Sequence, residues 1–113
     1  MIAKKQVKDK ISKLFADLNT AIMKINQKSI GCDKYPIYVA YYNLITDVVF
    51  AVVYPKKEFI EIGLNLKKTD MVKGLKSAEH MKYSHITKSI ILRKGQDLNQ
   101  ELKLLLKCSF MNA

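Results

Sequence analysis

The sequence predicts an α+β domain in two layers: an N-terminal helix, an antiparallel sheet of about four strands and a C-terminal helix, all within a single domain over 1–113. Three observations predict it. Apolar residues recur at spacings of three and four at both ends of the chain. Between them, residues 35–92 carry strand-like runs rich in β-branched and aromatic residues. The connections between most of these runs are short and polar, which suits antiparallel neighbours with the helices packed on one face.

The first helix is expected over 4–26. Val7, Ile11, Leu14, Phe15, Leu18, Ile22 and Ile25 form its apolar stripe, and Lys8, Lys13, Asp17 and Lys24 fall away from it. Polar residues and Gly31 are expected to end it. A first strand follows over 35–42, with Pro36 at its start or on an edge because proline cannot donate to a ladder. A second strand over 48–54 is apolar on both faces and belongs in the centre of the sheet, before a turn at Pro55-Lys56-Lys57. Over 59–66 the alternation is strict. Ile60, Ile62, Leu64 and Leu66 face one way, and Glu61, Gly63 and Asn65 the other. A polar loop over 67–79 leads to a fourth strand over 84–92, with Ile86, Ile90 and Leu92 inward. Asp97 is an N-cap candidate with Gln100 three residues later. Leu98, Leu102, Leu105 and Leu106 then line the last helix, which is expected to run to Phe110.

Composition narrows the function. Of 113 residues 49% are apolar, enough for one real core. No apolar run approaches the roughly 18 residues needed to cross a bilayer, and the charged start of the chain is unlike a secretory leader. A cytoplasmic protein is the expectation, with Cys32 and Cys108 as free thiols. The formal net charge is +10. It is localised: residues 1–28 hold seven Lys against two Asp, and residues 56–94 hold nine Lys and Arg93 against four acids. Localised basicity suits a polyanion such as nucleic acid. Because nearly all the cations are Lys rather than Arg, contact with phosphates is expected rather than readout of base edges.

Tyr38-Val39-Ala40-Tyr41, Val53-Tyr54-Pro55-Lys56-Lys57 and Ile62-Gly63-Leu64-Asn65-Leu66 resemble, in order, three strand motifs of a bacterial domain-of-unknown-function family labelled "predicted transport protein". Gly74-Leu75, His80 and the run Asp97-Leu98-Asn99-Gln100-Glu101-Leu102 match a glycine–leucine pair, a histidine loop and a final helix of that family. The resemblance covers residues 34–112. In the family loop the histidine is followed by an aromatic and glycines, which this chain lacks, and His85 stands where the family tends to have Asp. The architecture is also similar to the small MmcQ/YjbR-type proteins, which are labelled DNA-binding. Members of the first family often end larger proteins with restriction-endonuclease-like domains, so the resemblance implies a role in nucleic-acid metabolism. The transport label has no counterpart in the residues.

Catalytic and metal chemistry find little footing. His80 and His85 would lie on opposite faces of a strand, or about 140° apart on a helix. The two cysteines form no zinc-binding pair. Glu79 and Ser84 sit near the histidines without a recognisable motif. His80 is expected to pin its loop, and His85 to open the fourth strand. Tyr35, Tyr38, Tyr41, Tyr42, Tyr54 and Tyr83 are candidates for base stacking or a protein interface. No glycine-rich phosphate loop is present among four glycines.

The expected function is a non-enzymatic binding domain, without cofactor or metal, that touches DNA or RNA backbone through Lys56, Lys57, Lys67, Lys68, Lys73, Lys76, Lys82 and Arg93. Lys4, Lys5, Lys8 and Lys13 of the first helix would add to that surface. The alternative is a protein-interaction or dimerisation module of a larger bacterial restriction-type system, with no nucleic-acid contact and no membrane.

Overall fold

Helix α1 (Ile2–Met23) lays its stripe across one face of a six-stranded antiparallel sheet, and α2 (Gln100–Met111) packs beside it. The strands are β1 (Ile30–Lys34), β2 (Val39–Asn43), β3 (Val49–Pro55), β4 (Phe59–Leu64), β5 (Lys76–Ser77) and β6 (Lys88–Arg93), in the order β1-β2-β3-β4-β6-β5. This computed structural model describes residues 2–67, 75–78, 81, 83–93 and 98–113, with side chains from residue 11 onward. Among the described residues no helix is long and apolar enough to cross a membrane.

The fold class is the one the periodicity predicts, with six strands in place of about four. On α1, Ile11, Leu14, Leu18 and Ile22 are buried, with Phe15 and Ile25 packed partly against them. The helix ends three residues earlier than expected, at Met23. A turn follows in which Lys24 N donates to Thr20 O and Ile25 N to Ile22 O, and Asn26 Oδ1 accepts from Lys28 N at 3.2 Å. Gly31 does not stop the helix. It lies inside β1, a strand that lacks β-branched alternation, where a Cβ would stand 2.3 Å from the Tyr42 ring laid across it. That close approach, not strand propensity, places β1 beside β2.

The run over 35–42 also divides. Tyr35 N donates to Tyr38 O at 2.8 Å, closing a turn, and the strand begins only at Val39. Pro36 therefore sits in the β1–β2 connection.

In β3 the register slips by one residue against β2. Tyr41 pairs with Ala51 but Tyr42 with Val49, so Phe50 is extra. This bulge turns Phe50 into the helix-side core, where its ring meets Phe110 of α2 edge-on at 5.3 Å. On the β4 side, Phe50 C=O accepts from Asn65 N at 3.3 Å. Fully buried Ser109 of α2 donates its hydroxyl to that carbonyl and accepts from Asn65 N at 2.7 Å. Asn112 Nδ2 adds a bond to Asn65 O at 2.8 Å. A polar residue on an otherwise apolar helix face thus satisfies backbone groups that would be costly to bury unpaired.

β4 follows its expected alternation, with Ile60, Ile62, Leu64 and Leu66 buried in the main core. The last strand starts at Lys88 rather than at residue 84, and Ile86 lies outside the main core. Ile86, Met81 and Ala78 instead pack on the opposite face of the sheet over Val52. There Gly63 leaves room: a Cβ would lie 2.4 Å from Met81 Sδ and 2.7 Å from Ile86 Cγ2. His85 is exposed in the turn before β6 and opens no strand. Lys76–Ser77, read as loop, pairs with β6 at the edge of the sheet. The cap of α2 is Asn99, whose side chain accepts from Leu102 N at 2.8 Å. The expected cap, Asp97, lies outside the described residues.

Candidate nucleic-acid interface

Strand register sorts the basic side chains. Val39 is opposite Val53, Pro55 opposite Ile60, and Phe59 opposite Arg93. The β1–β2 turn, the β3–β4 turn and the C-terminal end of β6 therefore share one end of the sheet. Lys34, Lys56, Lys57 and Arg93 are exposed there. Lys67 follows β4 at the other end, some 17 Å of strand away at about 3.4 Å per residue. Lys76 pairs with Ser89 near the start of β6. Of the residues singled out in the sequence, Lys56, Lys57 and Arg93 are brought together, while Lys67 and Lys76 stand apart from them. Lys68, Lys73, His80 and Lys82 lie outside the described residues. Lys4, Lys5 and Lys8 lie in α1, and Lys13 is exposed on it.

Acids are interspersed. Asp33 and Glu58 are exposed at this end, and Glu61 lies opposite Tyr54. Glu58, Glu61 and Arg93 each engage another group of the chain. The local field is thus moderate, and any anion would be held by placed groups.

The same end carries a stack of tyrosine rings. Tyr35 lies on Tyr38 with centroids 4.7 Å apart and planes at 24°, and Tyr38 lies on Tyr54 at 5.0 Å and 30°. Tyr83 meets Tyr38 edge-on at 6.1 Å, and their hydroxyls are 2.8 Å apart. Lys56 Nζ is 5.5 Å from the centre of the Tyr54 ring, within cation–π range. Burial first, then the neighbouring Tyr38 and Glu61, raises the Tyr54 phenol above its ordinary pKa. Burial, and then the hydrogen bond with Tyr38, raises Tyr83 likewise. Both phenols stay neutral at physiological pH, so neither adds negative charge beside the lysines.

Two of the six tyrosines belong elsewhere. Tyr41 points into the helix-side core, and Tyr42 covers Gly31. Beside the stack is a hollow of about 470 Å³ lined by Phe15, Tyr35, Pro36, Ile37, Tyr38, Val39, Pro55 and Lys56. Phe15 brings α1 to its edge.

The sequence pointed to tyrosines and lysines separately but not to their meeting. The signal that joins them is the pair of prolines, Pro36 and Pro55, which mark turns at one end of neighbouring strands. Cys32 is half-buried and Cys108 exposed, both as free thiols, and burial raises the Cys32 thiol. Among the described residues no group of three or more His, Cys, Asp or Glu gathers into a metal-binding cluster. No protein-family model, no curated protein and no solved structure matches this chain.

Proposed function

We propose that the chain is a non-enzymatic binding domain that contacts the phosphates of DNA or RNA through the lysine-bearing end of its sheet. The observation that carries this is that Lys34, Lys56, Lys57 and Arg93 are exposed along one end of the sheet, beside stacked tyrosine rings, in a chain of net charge +10. These groups offer positive charge, hydroxyl donors and ring faces. The free thiols fit a reducing cytoplasm.

Electrophoretic titration on single-stranded and duplex DNA, at about 50 and about 200 mM salt, tests the proposal. With three or four cations engaged, log affinity for a single strand should fall against log salt with a slope of about −2 to −3. Absence of binding at the lower salt contradicts it.

One observation favours a second reading, a dimerisation module. Leu104 and Met111 are exposed on the outer face of α2, with exposed Cys108 between them. Sedimentation at several concentrations separates the two: a stable dimer indifferent to DNA supports this alternative.

A further inference from the structure

We infer that the preferred ligand is single-stranded nucleic acid, with one unpaired base stacked on the outer ring of Tyr35. The inference rests on the phosphate-binding proposal above and adds the base to it.

The tyrosine stack does more than cover the sheet. On the face away from the helices, Val52, Ala78, Met81 and Ile86 form a small core, and Tyr38, Val49, Tyr54 and Tyr83 pack against it. Tyr35 belongs to neither this cluster nor the main one. It is 45% exposed, and the neighbouring Ile37 is 68% exposed. Tyr38 is sandwiched between Tyr35 and Tyr54, so Tyr35 is the terminal ring of the ladder.

That ring is held in place before any ligand arrives. The Tyr35 N to Tyr38 O bond closes its turn, Pro36 restricts the backbone beside it, and Tyr38 supports one face. An aromatic surface already ordered in this way loses little entropy on binding. The adjoining hollow, of about 470 Å³, falls within the range of small-molecule sites, roughly 300–1,000 Å³. Apolar Ile37 and Pro36 line it, and so does Lys56, whose ammonium group lies 5.5 Å from the Tyr54 ring centre. A flat ring carrying a phosphate is what such a surface complements: the base meets Tyr35 and the phosphate meets Lys56 or Lys57. Paired bases in a duplex keep their faces stacked on one another and cannot use Tyr35.

The test compares a 15-nucleotide oligo(dT), an abasic oligomer with the same phosphates, and a duplex of the same length, each binding the full chain and its Tyr35→Leu variant. The chain has no Trp, so emission comes from its six tyrosines, and quenching that is lost in Tyr35→Leu reports stacking on that ring. The expected result is tightest binding to oligo(dT), with quenched emission. Tyr35→Leu should weaken oligo(dT) binding about tenfold and leave abasic binding unchanged. Tyr35→Phe should retain the preference, and circular dichroism checks that both variants fold. Equal affinity for oligo(dT) and abasic oligomer, or for oligo(dT) and duplex, overturns the stacking while leaving the phosphate contact standing. If no oligomer binds at low salt, both fail together.

Discussion

Tyr41 shows how one residue type takes different roles along a short stretch. It is fully buried, and its hydroxyl donates to Asn19 Oδ1 of α1 at 2.6 Å. Burial, with a lesser contribution from Cys32, raises its phenol well above the ordinary value near 10. The folded protein therefore keeps Tyr41 protonated at pH values where the unfolded chain ionises it. Its contribution to stability is complete below about pH 10 and is lost as pH rises beyond that. Tyr41→Phe should cost about 1 kcal/mol at pH 8 by removing the bond to half-exposed Asn19. The gap between variant and wild type should close above pH 10, because phenylalanine cannot ionise. Urea denaturation at pH 8 and pH 10.5 checks this, and a gap independent of pH contradicts it. Alternation predicts that Tyr41 and Tyr38 point to opposite faces, and they do. It does not say which face the helices cover, nor that a turn lifts Tyr35 out of the ladder, because both depend on packing between segments distant in the chain.

At the scale of elements, helices and the strictly alternating β4 were legible because their periodicity records burial directly. The rest depended on close approach. β1 lacks the composition of a strand and exists because Gly31 admits the Tyr42 ring. β3 reads as apolar on both faces because Ala51 and Val53 enter the helix-side core and Val52 the small core on the opposite face, while a bulge swings Phe50 toward α2, where Ser109 donates to its carbonyl. Residues 84–86 have strand-like neighbours but fold over Gly63, carrying Ile86 to the second small core. Gly63→Ala tests that cover. The added methyl would meet Met81 and Ile86, both buried, and should lower stability by about 1–3 kcal/mol through overpacking. Combining it with Met81→Ala should relieve part of the clash, giving a double-mutant coupling that thermal denaturation can read. Strictly additive effects would show that Gly63 and Met81 do not share this space.

For the molecule as a whole, net charge was visible in composition, but its placement was not. Lysines that look like one basic tract over 56–94 are divided by the sheet: Lys56, Lys57 and Arg93 gather at one end, while Lys67 and Lys76 lie toward the other. Lys34, from a segment of nearly neutral composition, joins the first group because β1 pairs with β2. A domain whose function resides at that end should show it residue by residue. Amide chemical-shift mapping, by titrating isotope-labelled protein with oligo(dT) at low salt, makes the most direct test. The largest changes should fall on Lys34, Tyr35, Ile37 and Tyr38, on Lys56 and Lys57, and on Arg93. Changes centred on Lys67, Lys76 and Lys88, or none at all, would contradict a nucleic-acid site built from the tyrosine stack and its lysines.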